Sequence, residues 1–142
     1  MDFSENEVAV LRITLKQVSF FELLKMEELD LLMHALERQA FRRGETIIRE
    51  GQKGDRCYFV VSGAVGIYKG GMFTRKRIET KAPVRFFGEM ALLYNTPRNA
   101  TVIGEQDGML FSLSREAFNG ILLKNPRIAE LIQKEAARRK AQ

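Results

Sequence analysis

The spacing of apolar positions changes twice along the chain. It is helical up to residue 38, alternates through 39–113, and is helical again from 114. In the first part, Val8, Leu11, Ile13 and Leu15 predict a helix over 5–17, with a short break at 17–21. Leu29, Leu32, Met33 and Leu36 follow at i, i+3, i+4 and i+7, which predicts a second helix over 25–38. Glu27, Glu28 and Asp30 open it, where acids complement the positive end of the helix dipole.

The alternating part reads as short strands at 46–49, 56–62, 64–69 and 73–80, with 85–87 leading into a mixed stretch over 86–102. A final hairpin is expected from 101–104 and 109–113, turning across Glu105-Gln106-Asp107-Gly108. Gly63 breaks one apolar run, and Gly70-Gly71 is a strong hairpin signal. Many short strands with regular turn signals predict a barrel or jelly roll. Ser114 then serves as N-cap of a helix over 114–124. Asn125-Pro126 interrupts it, and Pro126 suits the first turn of a last helix that carries Ile128, Leu131, Ile132 and Glu135 on one face. The polar end, 136–142, is helix-permissive.

Composition narrows the class. The 142 residues are 45% hydrophobic and 29% charged, which suits one globular domain with a real core. No apolar run approaches the ~20 residues that span a bilayer. The N-terminus is acidic and carries no basic-then-apolar signal pattern. Cys57 is the only cysteine, so an internal disulfide is excluded, and it reads as a small buried hydrophobe. These features point to the cytoplasm. The net charge of +5 is uneven: residues 1–37 hold eight acids and three bases, while 38–114 hold thirteen bases and seven acids. A basic middle suits an anionic ligand, although a solvated surface is the commoner cause, and nucleic-acid binding draws only weak support.

Catalytic and metal motifs are missing. The single histidine, His34, has no second histidine or nearby cysteine to share a metal. No Gly-x-Ser-x-Gly, His-Glu-x-x-His or Walker loop occurs, so a binding role is expected rather than an enzyme. The informative stretch is 86–102. Gly88-Glu89 is followed by apolar Met90-Ala91-Leu92-Leu93, a polar turn, and Arg98. This reads as a short helix whose free N-terminal amides face the same pocket as a guanidinium, an arrangement for an anion. Glu89 would repel that anion and needs a hydroxyl donor instead, such as a ribose 2′-OH. Anion plus hydroxyl points to a nucleotide.

Gly88-Glu89-Met90-Ala91-Leu92-Leu93 followed by Pro97-Arg98-Asn99-Ala100-Thr101-Val102 resembles the phosphate-binding cassette of cyclic-nucleotide-binding domains, in their bacterial type. That family includes regulatory subunits of cAMP-dependent protein kinase, the bacterial catabolite activator and nucleotide-gated channels. The resemblance covers about seventy residues of barrel and cassette. It implies a mainly β fold with flanking helices (α+β): an eight-stranded jelly-roll barrel at 39–113, N-terminal helices at 1–38, and C-terminal B and C helices at 114–142, all in one domain.

The resemblance also implies a site. The cyclic phosphate would accept hydrogen bonds from Arg98 and from the amides of Ala91 and Asn99. Glu89 and the Gly88 carbonyl would take the ribose 2′-OH, with Met90 and Ala100 as cassette neighbours. Val61 and Val65 would stack on the base, and Leu131 or Ile132 would fold over it from a helix hinged at Asn125-Pro126. Asp55, beside Gly51-x-x-Gly54, would either orient Arg98 or cap its own turn. Asn99 stands where a Thr or Ser hydroxyl reads guanine in cGMP sites, so cAMP is favoured and cGMP stays open.

Expected partners are the nucleotide, an effector domain or protein that this chain does not identify, and a second copy through the C-terminal helix. Alternatives are the sensor half of a transcription regulator, or a module of this fold that has lost its ligand.

Overall fold

The computed structural model describes residues 3–71, 73–83 and 85–140, apart from the side chains of 139 and 140. The last two residues of the polar tail lie outside it. Helix α1, Glu5–Gln17, begins at Ser4, whose hydroxyl accepts from the Glu7 amide while the Glu7 carboxylate accepts from the Ser4 amide. This capping box satisfies two amides that the first turn leaves unpaired. The break after α1 is a 3-10 turn, Ser19–Phe21.

Helix α2 is Met26–His34, ending four residues before the limit its apolar spacing suggested. Leu36 still reaches the core, 2% exposed, but from beyond the helix end. Glu37 and Arg38 are drawn into strand β1, Glu37–Phe41, by pairing with Ser112 and Phe111. Arg38 then lies over the Phe111 ring at 4.9 Å and holds Glu7 of α1. His34 is exposed, with Nδ1 2.7 Å from the Asp30 carbonyl oxygen.

The remaining strands are β2 (Thr46–Ile48), β3 (Arg56–Lys69), β4 (Lys76–Lys81), β5 (Phe86–Phe87) and β6 (Thr101–Ser114). All pairings are antiparallel, in the order β1-β6-β3-β4, with β2 also on β6 and β5 also on β3. Among the described residues there are six strands where eight were expected, and the sheet path does not close into a barrel. Strand β4 starts at Lys76 rather than Phe73.

Part of the shortfall has one cause. Gly63 and the stretch 105–108 read as turns, yet they lie inside two fourteen-residue strands that run against each other from end to end. Gly63 has φ +76°, and a Cβ on Gly108 would stand 2.1 Å from the Ser62 carbonyl oxygen. The glycines let the two backbones approach where the register shifts between Val60 and Val65.

That bulge exchanges the faces of β3. Before it, Cys57, Phe59 and Val61 face the helices, while Tyr58 and Val60 face the sheet interior. After it, Val65 and Ile67 face the interior. The helix-side core joins Leu11, Leu15, Phe21, Leu32 and Phe59 to Phe111, Phe118, Ile128 and Ile132. Full burial of each such side chain contributes about 1.5–3 kcal/mol. Helix α3, Arg115–Lys124, is capped by Ser114, whose hydroxyl accepts from the Ala117 amide at 3.0 Å. Helix α4, Pro126–Lys140, follows with Pro126 as its first residue and packs on the 3-10 turn Ser19–Phe21.

Candidate functional site

The interior face of the sheet leads to a cavity of about 180 Å³. Ile48, Ile67, Phe87 and Val102 form its apolar wall, and Gly88, Glu89, Met90, Ala91, Thr96, Pro97, Arg98, Asn99 and Ala100 form the rest. The expected short helix is a single 3-10 turn, Glu89–Leu92, entered through Gly88 in the left-handed region at φ +76°. The Ala91 amide donates to the Gly88 carbonyl at 3.2 Å, and the Tyr94 amide donates to Met90 at 2.9 Å.

Arg98 is fixed by contacts remote in sequence. Its backbone N–H donates to the Gln52 carbonyl at 2.7 Å, and its carbonyl accepts from the Gly51 amide at 2.8 Å. The glycine-rich turn at 50–55 and the residues around Pro97 are therefore zipped together, with Lys53 bridged to Pro97. The guanidinium runs back along this turn. A Cβ on Gly54 would stand 2.2 Å from Arg98 Nε, and one on Gly88 would stand 2.7 Å from Nη1. Both glycines thus make room for a flat cation. Arg98 Nη2 donates to the Arg56 carbonyl at 2.8 Å and Nη1 to the Gly88 carbonyl at 3.4 Å. Its Cζ lies 6.0 Å from the centre of the Tyr58 ring, which stacks on Phe87.

The electrostatics follow from this setting. Burial pushes the Arg98 guanidinium below its ordinary pKa, and the nearby Arg115 charge adds to the effect. Burial also raises the Cys57 thiol well above its usual value, which keeps this interior sulfur un-ionised. Among the described residues no carboxylate forms an ion pair with Arg98, and Glu89 has neither an ion pair nor a side-chain hydrogen bond. Two opposite charges share one cavity and do not pair with each other.

Asp55 makes no ion pair with Arg98 in this structure. Its side chain is 71% exposed, and its nearest cation is Arg56 Nε at 4.0 Å. Backbone carbonyls take the role that the resemblance gave to that acid. Gly88, Glu89, Met90, Ala91, Arg98, Asn99 and Ala100 do converge on the cavity. Val61 does not, because the β3 bulge turns it to the helix-side core, and Val65 sits in the sheet core behind the lining. Ile48, Ile67, Phe87 and Val102 were missed, although alternation from Val65 would have reached Ile67 once the bulge was allowed for. Leu131 and Ile132 lie elsewhere, Leu131 in a groove with Ser19, Phe20 and Leu23, and Ile132 in the helix-side core. No group of three or more His, Cys, Asp or Glu suited to a metal ion occurs among the described residues, and no described helix is long and apolar enough to cross a membrane.

The family model described as "Cyclic nucleotide-binding domain" matches residues 38–125. The cAMP-dependent protein kinase type II regulatory subunit of Drosophila melanogaster is 38% identical over 112 residues, 79% of this chain. The chain spans only 29% of the length of that relative. The crystal structure of the N-terminal domain of a transcriptional regulator from Streptomyces coelicolor A3(2) superposes with a TM-score of 0.81 at 26% identity, covering 90% of each chain. The regulatory domain of Toxoplasma gondii PKA, solved with cAMP, gives a TM-score of 0.75 at 32% identity, covering 84% of this chain and 46% of that one.

Proposed function

The chain belongs to the cyclic nucleotide-binding domain family, and we propose that it is a cytoplasmic sensor that binds cAMP ahead of cGMP in the Arg98 cavity and signals through α4. One observation carries this reading. Arg98 and Glu89 line a single cavity, one without a carboxylate partner and the other without a donor among the described residues. Arg98 is partly desolvated and Glu89 is half-buried, and an unpaired charge held away from water is costly, so such a pair is best explained by a ligand that completes both. A ribose cyclic phosphate supplies an anion for the guanidinium and a hydroxyl for the carboxylate.

The cavity volume, about 180 Å³, is below the ~300 Å³ at which ligand pockets ordinarily begin. It suits the sugar and phosphate, with the base at the mouth near Asn99 and against Ile67 and Val102. We assign the cover over that base to α4, through Leu131 or Ile132. To reach it, α4 must leave the 3-10 turn Ser19–Phe21, and Asn125, at φ −135° and ψ 80°, is the joint between α3 and α4. Ligand favours the covered state by its extra contacts there, which shifts the population. The effector is a domain or protein acting on α4.

Asn99 is exposed on the rim, and its amide lacks the compact hydroxyl that would accept from guanine. The expected preference for cAMP is about tenfold, equivalent to ~1.4 kcal/mol. Competition titrations test it: Asn99→Thr should narrow or reverse the preference, and Asn99→Ala should leave cAMP binding nearly intact. A parent that prefers cGMP, or an Asn99→Ala variant that loses cAMP, contradicts the assignment. A second reading, the sensor part of a transcription regulator, is favoured by the 90% mutual coverage with the Streptomyces coelicolor domain. It predicts ligand-dependent DNA protection by the full-length protein, and no protection with or without nucleotide would remove it.

A further inference from the structure

Arg115 is the first residue of α3 and lies outside the cavity lining. Its Nη1 is within hydrogen-bonding distance of three backbone carbonyls: Gly54 at 3.2 Å, Ala91 at 3.1 Å and Tyr94 at 3.2 Å. One such nitrogen carries two N–H groups, so the three acceptors share two hydrogens. Its backbone N–H also donates to the Asp55 carbonyl at 2.7 Å. No carboxylate forms an ion pair with it among the described residues.

These acceptors belong to two separate segments that border the site. Gly54 is the surface on which the Arg98 guanidinium lies. Ala91 is in the 3-10 turn that lines the cavity, and Tyr94 is at its exit. Carbonyls at the end of a helical turn lack partners within it and favour a nearby cation. Arg115 supplies that cation from a third element.

We infer that Arg115 is a positioning residue: it ties the glycine turn and the 3-10 turn to the start of α3, so that binding at Arg98 and the placement of α3 are coupled. The coupling to nucleotide rests on the function proposed above. Binding that draws Arg98 forward moves the Gly54 turn it lies against, and the shared Arg115 guanidinium carries that shift to α3, which continues into α4 through Asn125. The two guanidiniums also repel each other, since Arg115 adds to burial in lowering the Arg98 pKa. An anion at Arg98 relieves that repulsion.

The test uses the whole chain with Arg115→Ala, Arg115→Gln and Arg115→Lys, each checked for folding by thermal melt. Calorimetric titration with cAMP should show a loss of about tenfold or more for Ala and Gln, since charge-assisted bonds to the pocket walls are removed. Lys, which keeps the charge and three donors, should recover part of the loss. Hydrogen exchange supplies a readout that packing alone would not move. In the parent, nucleotide should slow exchange at Gly51, Ala91 and Ala117 together, and in Arg115→Gln the protection at Ala117 should disappear.

A folded Arg115→Gln variant with parental affinity and intact protection at Ala117 overturns the inference. A parent that binds no cyclic nucleotide instead overturns the proposed function. The tie is then judged without ligand: faster exchange at Gly51, Ala91 and Ala117 in Arg115→Gln supports it, and unchanged exchange refutes it. If all three variants fail to fold, Arg115 is a structural residue and the positioning role is rejected.

Discussion

Replacing Arg98 by leucine separates the cost of holding this cation from the use made of it. In the unliganded protein the change is small. The Arg56 and Gly88 carbonyls lose a donor, which costs about 1–3 kcal/mol for a buried group and less where water can reach it. Against that, a desolvated guanidinium with no carboxylate partner is removed, and its desolvation cost is removed with it. The melting temperature should therefore change little. Binding should change greatly. A planar fork facing a phosphate makes two charge-assisted hydrogen bonds of ~1.5–3 kcal/mol each, so roughly 3–6 kcal/mol is lost. That is about two to four orders of magnitude in Kd. Arg98→Lys keeps the charge and loses the fork, and should fall between leucine and the parent. The assay is calorimetric titration with cAMP, run beside a thermal melt of each variant. If Arg98→Leu melts like the parent and binds cAMP as tightly, the guanidinium does not hold a phosphate.

Two further outcomes follow from the same site. Glu89→Ala should weaken cAMP far more than 2′-deoxy-cAMP, as read by titration with both; equal losses would remove Glu89 from the ribose. Gly54→Ala places a methyl 2.2 Å from Arg98 Nε, so the guanidinium must move. It should cost about tenfold or more in cAMP affinity, with only a modest fall in melting temperature; unchanged affinity would show that Arg98 binds from another position.

Acid should loosen the N-terminal helices and α4. Burial alone would raise the Glu28 carboxyl, but the bond from Arg127 of α4, the Lys25 amide and the charges of both residues together outweigh it, and the bond from Arg38 is the main cause that lowers Glu7. Both folded-state pKa values are depressed. Their stabilisation is present above the ordinary carboxylate range and is lost as pH falls through the folded values. Thermal melts against pH should show this loss, diminished in Glu28→Gln; identical acid profiles would exclude the Glu28 contribution.

Much of this arrangement could be read from local pattern. The Ser114 cap, the Pro126 start and the helix over 5–17 depend on neighbours within a turn, so the sequence carries them directly. The cassette residues were legible because Gly88, Glu89 and Arg98 lie within eleven positions of one another. What was missed is long-range. Gly63 and Gly108 signal turns by composition, and only the pairing of β3 with β6 turns that signal into a bulge. The bulge then exchanges inside and outside, which misplaced Val61. Local pattern left Asp55 open as an acid for Arg98 or as a cap of its own turn, and the guanidinium donates to the carbonyls of Arg56 and Gly88. Leu131 and Ile132 have the apolar spacing of a covering helix, but that spacing does not say which surface they cover, and here they face the N-terminal elements.

The most direct test of the central claim is calorimetric titration of the unmodified chain with cAMP. One saturable site per chain, with binding lost in Arg98→Leu while the fold is kept, is the predicted result. A folded chain that gives no saturable heat with cAMP or cGMP, and shows no rise in melting temperature with either, would contradict it.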